Sequence, residues 1–346
     1  MQEKNIVAID LGNGFTSYKA GNGNQGAFAS LVAPYGGSAG IGGDFGKPFF
    51  KTQDGKKYLI GDDCREEGAV TRSTDSSFYS SNEIRVLFLR ALKLSEIKNP
   101  LIVTGLPTEF HAKGAKTFEA NLKKWATDEG YTPEFIKVLP QWAGPWFDEE
   151  LADETGQILP LGHVTKGKIG IIDIGQGTTD IGQFSNGKVS DSRYGESKGV
   201  SDIHKALYTQ LRNPDRFNES LPKKDRLPKG FSLDKQTTEF TMDTWLRDGY
   251  IPWRGDRLDI EAISRPAREE FASDLLPRCI SEVWGSTDFL SGMIVAGGGA
   301  TVLGREIFKK YVNCPIYMAS TPEKSIVRGY YRFFRTQILP KGAKAQ

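Results

Sequence analysis

Ile9-Asp10-Leu11-Gly12-Asn13-Gly14-Phe15-Thr16 and Ile172-Asp173-Ile174-Gly175-Gln176-Gly177-Thr178-Thr179 are two copies of one pattern. Ile, Asp, Gly, Gly and Thr recur at the same offsets, and an aliphatic run precedes each copy. An internal repeat is a stronger signal than a single motif, because a chance match at fixed positions is improbable. Each copy reads as a short strand that ends at the aspartate and turns back through glycines. The glycines permit a tight turn and let backbone N–H groups come close to an anion. The threonine hydroxyls add donors. An aspartate beside phosphate is repelled unless a hydrated cation lies between them. Magnesium suits that place, since it takes one or two carboxylates together with waters and phosphate oxygens. Two such hairpins facing each other, with Asp10 and Asp173 on the metal, would clamp a polyphosphate from both sides.

Outward from the first copy, Phe15 to Ala20 reads as the returning strand and Gly21-Asn22-Gly23-Asn24 as the next turn. The run Gly21-Asn22-Gly23-Asn24-Gln25-Gly26 fits G-x-G-x-x-G, but no amphipathic helix follows it, so the dinucleotide reading fails on context. Residues 31–82 are polar and glycine-rich (Gly36-Gly37, Gly42-Gly43) and read as a small inserted subdomain. Apolar spacing predicts a helix over Asn82–Leu94 with Asn82 as its cap, and a second over 113–128. Strands are expected at Leu101–Val103 and Phe135–Leu139, the latter running into Pro140-Gln141-Trp142-Ala143-Gly144. The polar stretch 147–167 reads as the connection between halves. Beyond the second copy come a helix over Val200–Leu211, a proline- and charge-rich insertion, and a helix from about Pro266 to Trp284. A strand over Met293–Ala296 runs into Gly297-Gly298-Gly299, a short strand is expected at Ile316–Met318, and a last helix at Ser325–Phe334.

Composition removes several function classes. With 45 basic and 43 acidic side chains the net charge is +2, which gives no global field to hold a polyanion. The first apolar run is broken by Asp10, and no run reaches the roughly 18 residues of a membrane span. Cys64, Cys279 and Cys314 are too scattered for a disulfide framework or a zinc site, and fit a reducing cytoplasm. His111, His163 and His204 are equally isolated.

These residues resemble the superfamily of actin, the sugar kinases and the heat-shock chaperone ATPases. Asp10–Gly14 is similar to its first phosphate loop, and Asp173–Asp180 to its second. Pro140–Gly144 and Glu323–Tyr330 resemble the segments connecting its lobes, and Gly297–Ala300 with Gly304 its adenosine loop. All occur in the family's order. The resemblance implies an α/β, bilobed fold of the ribonuclease H-like type, with the nucleotide between two related halves. The first lobe would span 1–165, with the insertion at about 31–82, and be completed by a C-terminal helix at about 323–340. The second would span 166–322, with an insertion at about 190–270.

Within the superfamily the resemblance narrows to bacterial plasmid-segregation actins of the ParM type. Ile102–Thr108 and Arg328-Gly329-Tyr330 are similar to stretches typical of that group. The resemblance implies binding and hydrolysis of ATP or GTP with magnesium and assembly of copies into a filament. It also implies a ParR-type adaptor bound to centromere DNA, so that plasmid DNA is touched only indirectly and a membrane not at all. By the same resemblance the backbone of Gly12, Asn13 and Gly14 and of Gly175, Gln176 and Gly177, with Thr178, contacts phosphate. Gln141 stands where the family orients the attacking water, a task Asp173 shares. Orientation suits phosphoryl transfer, in which catalysis is mostly positioning and charge stabilisation. Gly297, Gly298, Gly299 and Ala300 would pack against the nucleoside, with Glu196 and Lys198 near ribose and base. Two departures stand out. Ser17 occupies the place of a lysine usual in actins, leaving Lys19, two residues on and on the same strand face, as the substitute. Ser325-Ile326 replaces small or amide residues in the second connecting segment.

Two other functions share the fold: a small-molecule kinase, and a non-polymerising chaperone-like ATPase. No aspartate in the first half stands out as a kinase's catalytic group, and the stretch after residue 340 is too short for a chaperone's peptide-binding domain.

Overall fold

A computed structural model describes residues 1–36, 48–67, 76–160, 165–235 and 237–344. Gly37, the Gly42-Gly43 pair and His163 lie outside the described residues.

In the first half, β1 (Ile6–Leu11), β2 (Phe15–Ala20) and β3 (Gln25–Ala29) form an antiparallel meander. The insertion that follows contains a three-stranded sheet of β4 (Val32–Pro34), β5 (Phe50–Lys51) and β6 (Lys57–Ile60). Then come α1 (Asn82–Ser95), β7 (Leu101–Leu106), α2 (Thr108–Asp128) and β8 (Phe135–Pro140). The main sheet has the order β3-β2-β1-β7-β8, with β1, β7 and β8 parallel. β1 and β7 are buried along their whole length, as expected of central strands covered on both faces. α1 packs Ile84, Leu87, Phe88, Ala91 and Leu92 into the same core as Val7, Ile9 and Leu11.

The second half repeats the plan. Its strands are β9 (Leu151–Ala152), β10 (Lys168–Ile174), β11 (Thr179–Ser185) and β12 (Lys188–Glu196). α3 (Val200–Leu211), α4 (Pro214–Ser220) and α5 (Glu239–Asp248) lead to the hairpin β13 (Tyr250–Trp253) and β14 (Asp256–Asp259). α6 (Ile260–Val283), β15 (Gly292–Ala296), α7 (Gly298–Phe308) and β16 (Ile316–Ala319) complete it, and α8 (Ser325–Phe333) returns to the first half. The sheet order is β12-β11-β10-β15-β16-β9. Apart from the added edge strand β9, each sheet is an antiparallel meander followed by two parallel strands, so the repeated motif sits inside a repeated topology. α8 crosses back onto the first sheet, where Val327, Tyr330 and Phe334 share a core with Ile6, Ala8 and Val103.

Several boundaries differ from expectation for physical reasons. Ser81, not Asn82, caps α1: its side chain accepts the Ile84 N–H at 3.3 Å. α2 begins five residues before 113 because its first turn is held from outside, Asp180 Oδ1 accepting the Thr108 N–H at 2.6 Å. α6 begins at Ile260 under an Asp259 cap and carries Pro266 within it. The connection 147–167 contributes β9 to the second sheet, and β12 and α3, inside the stretch 190–270, belong to the main body of the second half.

Two connections bind the halves at their base. The first runs through Gln141–Ala143 and Pro145–Phe147, and the second is the start of α8. They cross so closely that a Cβ on Gly329 would lie 1.9 Å from the Gly144 carbonyl oxygen. Asp148, buried on the first, accepts from Arg328 Nε at 2.9 Å and Nη2 at 2.7 Å, and from Ser325 Oγ at 2.5 Å. Removing one partner of a buried ion pair costs about 3–5 kcal/mol when the other charge is left alone, but Arg328 keeps Glu150 at 3.2 Å and Thr321. Asp148→Ala should therefore lower stability by about 2–3 kcal/mol in denaturant titration, against about 1 kcal/mol for Ser325→Ala. A loss under about 1 kcal/mol for Asp148→Ala would show that the clamp contributes little.

Candidate functional site

Asp10 and Asp173 are the penultimate residues of β1 and β10. They reach the cleft because each central strand ends there and turns back through its glycine hairpin. In the ladders Asp10 faces Ser17, and Asp173 faces Asp180. Both aspartates line a cavity of about 330 Å³ between the halves, a size typical of small-molecule sites. The hairpin tips meet above it: a Cβ on Gly14 would lie 3.0 Å from the Gln176 Cβ.

The first hairpin is held from behind. Ser30 donates through its hydroxyl to the Gly12 carbonyl at 2.6 Å and through its N–H to the Gly14 carbonyl at 2.9 Å. Those carbonyls are thus turned away from any anion in the cleft. The second hairpin closes on itself, Gly175 N–H to the Thr178 carbonyl at 2.8 Å, and its outer side receives the first N–H groups of α3. Gly297 sits at φ +81°, and a Cβ there would lie 2.3 Å from the Ile174 carbonyl oxygen and 2.6 Å from Asp173 Oδ1. Only glycine lets the start of α7 approach the second aspartate this closely.

The electrostatics of the cleft are unusual for carboxylates. Burial lifts Asp10 to about 7, offset in part by the hydrogen bond that Gln141 Nε2 donates to its Oδ1 at 3.3 Å. Burial raises Asp173 well above the ordinary carboxylate range, and the neighbouring Asp180 and Asp10 push it further. Asp180 is lifted to about 6 by burial, against the opposing hydrogen bonding of Thr108. Asp173 Oδ1 and Asn13 Oδ1 are buried with no hydrogen-bond partner among the described residues. A buried carboxylate oxygen without a donor, facing a second buried carboxylate, is the donor set that a cation satisfies. Among the described residues no group of three or more His, Cys, Asp or Glu could hold an ion, so a cation here would complete its shell from water and ligand oxygens.

The structure brings most of the expected residues to this cavity. Asp10, Gly12, Asn13 and Gly14 line it from one side, and Asp173, Gly175, Gln176, Gly177 and Thr178 from the other. Gln141 lines its floor, and Gly297 and Gly298 its far end. Lys19 does not line it. That lysine lies on the face of Asp10, opposite Ala8, but α8 covers the face there. Its Nζ is directed to Gln25 Oε1 at 3.4 Å and over the Tyr331 ring. Ser17 lines the cavity instead.

Glu196 and Lys198 are likewise off the cavity lining and turn to α6. Glu196 accepts from Tyr194 OH at 2.8 Å and pairs with Arg278 at 3.4 Å, while Lys198 pairs with Asp274. Only the Lys198 backbone serves the second hairpin, its carbonyl accepting from Thr179 Oγ1 at 2.8 Å. Gly299 and Ala300 pack behind the site: a Cβ on Gly299 would lie 2.2 Å from Ile174 Cγ2, and Ala300 is fully buried.

Sequence reasoning misses the cleft residues Tyr79, Asp243, Arg247 and Thr301, of which Asp243 and Arg247 come together on α5. Asp180 carries a legible signal, a carboxylate that directly follows the second repeat and stands one position before Ile181 on the returning strand, across from Asp173.

Residues 8–135 match the family model of the N-terminal domain of actin-like proteins. Residues 171–309 match that of the C-terminal domain of the MreB-like archaeal actin homologue. No curated protein sequence matches the chain. Among solved structures it resembles a 15-stranded ParM filament from Clostridium botulinum at 20% identity and a TM-score of 0.67, over 96% of this chain and 99% of that one. It resembles an archaeal actin homologue in complex with ADP at 17% identity and a TM-score of 0.65, over 99% of each chain. A non-polymerisable pCBH ParM quadruple mutant is similar at 20% identity and a TM-score of 0.66, over 95% and 98%. With an actin-type domain matched on each side of the cleft and one fold shared along its length, the chain belongs to the actin-like superfamily.

Proposed function

We propose that this chain binds magnesium–ATP or –GTP in the cleft, hydrolyses it, and couples the nucleotide state to assembly of its copies into a ParM-type filament. The observation that carries this reading is the pair of buried aspartates, Asp10 and Asp173, ending equivalent strands on one cavity. Asp10 and Asp173 hold the metal, which when bound neutralises phosphate charge. The N–H groups of Gly12–Gly14 and of Gln176 and Gly177 serve the phosphates, with Thr178 as a further donor, while Gly175 spends its N–H on the Thr178 carbonyl and shapes the turn. Gln141, bonded to Asp10 and lining the same cavity, is the group assigned to the water that attacks the terminal phosphate. Its amide orients that water without taking the proton, and Asp173 shares the orientation. Gly297 and Gly298, at the start of α7, receive the nucleoside end.

The likeness to a ParM filament supports the assembly step. In this reading the protein works in the cytoplasm, its partners are further copies of itself and a ParR-type adaptor on centromere DNA, and plasmid DNA is moved without direct contact. The first lobe is residues 1–165 less β9, completed by 323–340, and the second is the body built on β10, β11, β12, β15 and β16.

Phosphate release and pelleting measured together with magnesium–ATP and magnesium–GTP test both parts. Asp173→Ala should abolish hydrolysis, and Gln141→Ala should slow it by on the order of 100-fold with nucleotide binding kept. Wild-type turnover in both variants refutes the site. Hydrolysis with no pelletable species at high protein concentration refutes the filament.

A pH dependence follows from the raised carboxylates. Asp10 and Asp173 both lie above the 3.8 of an ordinary aspartate. The folded chain therefore binds more protons than the unfolded one above that value. The stability from these groups is full below it and falls as pH rises, through about 7 for Asp10. Metal-free protein should lose stability in thermal melts as pH rises from about 4 to about 7, and Asp10→Asn should flatten that slope. Magnesium with nucleotide should stabilise the wild type more at the higher pH. An unchanged slope in Asp10→Asn contradicts this.

A further inference from the structure

α5 lies on the second half, yet Arg247, its penultimate residue, contacts the first. Its guanidinium sits 5.0 Å from the centroid of the Phe15 ring, and Phe15 directly follows Gly14 at the tip of the first hairpin. Arg247, Phe15 and Asp243 all line the cavity that holds Asp10 and Asp173.

The arginine is aimed by a chain of groups. Asp243 Oδ2 accepts from Arg247 Nη2 at 2.9 Å, which directs the fork along the helix surface. Asp243 Oδ1 lies 3.9 Å from Nε2 of the buried His204 on α3. His204 Nδ1 in turn lies 3.3 Å from Gln176 Nε2, at the tip of the second hairpin. The two tips that would hold phosphate are thus joined by touch at Gly14 and Gln176, and again by a bridge through His204, Asp243 and Arg247 to Phe15.

Charge gives the bridge a purpose. The place facing Asp10 on β2 is Ser17, and Lys19 is spent on Gln25 and Tyr331. The first hairpin therefore brings no side-chain cation to the cleft. Arg247 is a cation that lines the cavity at that hairpin, and an arginine can stack on an aromatic face while its N–H groups serve phosphate. We propose that Arg247 is a cross-cleft latch that stacks on Phe15 and lays its charge over the phosphate end of the bound nucleotide, so that triphosphate binding and closure of the halves reinforce each other. The proposal rests on the nucleotide reading of the cleft.

The test is the dissociation rate of methylanthraniloyl-labelled ATP and GTP, and of the matching diphosphates, from full-length protein with magnesium. Arg247 is half exposed and Phe15→Leu keeps apolar volume, so both variants should fold, which thermal melts check. Arg247→Ala and Phe15→Leu should each speed triphosphate release by roughly tenfold, from the range of cation–π strengths. The double variant should be little faster than the faster single one, and the effect of Arg247→Ala should be smaller for diphosphates. Unchanged release in Arg247→Ala, multiplicative effects in the double variant, or equal acceleration for di- and triphosphates overturns the latch while leaving the nucleotide site standing. A wild-type protein that takes up none of the labelled nucleotides overturns the nucleotide reading and the latch with it.

Discussion

Two buried carboxylates facing one cavity set the terms for the rest of this molecule. Asp10 and Asp173 cannot both stay ionised out of water without a compensating charge, since burial and mutual repulsion oppose it. The fold nevertheless places them together, because each ends the central strand of its sheet and each sheet is built on the same strand order. Asp180 sharpens the conflict from directly across the β10–β11 ladder. Under the proposed function this costly arrangement becomes favourable once a cation and its anionic ligand enter.

The same carboxylates connect the site to the joint between the halves. Gln141, which donates to Asp10, belongs to the first connection, and that connection continues through Gly144 to Asp148. Asp148 is clamped by Arg328 and Ser325 of α8, and Gly329 allows the two segments to cross in near contact. Asp180 reaches from the second sheet to hold the first turn of α2 in the other half. A change of charge at the cleft therefore acts directly on groups that bridge the halves, which gives ligand state a physical route to their relative position.

What was legible in the sequence was what is encoded locally. The repeated Asp-x-Gly-x-Gly hairpins, their strands and the glycines before α7 depend on residues a few positions apart, and the structure brings them to one cavity. What lies off the cavity lining depends on how distant elements cover a face. Lys19 lies on the expected side of its strand, but α8 takes that position. Glu196 and Lys198 are drawn to Arg278 and Asp274 of α6, and Gly299 and Ala300 are consumed in packing α7 on β10. The start of α2 was misplaced for the same reason, since its outer support, Asp180, comes from the other sheet. Arg247 and Asp243 were invisible because nothing near them in sequence marks α5 as a wall of the cleft.

The most direct measurement is a crystal structure of the chain with manganese and a non-hydrolysable triphosphate analogue, phased to locate the metal by anomalous scattering. The account requires a metal peak between Asp10 and Asp173, with the triphosphate passing between the two glycine hairpins. A metal and nucleotide bound elsewhere, with those two side chains turned from a common cavity, would contradict it.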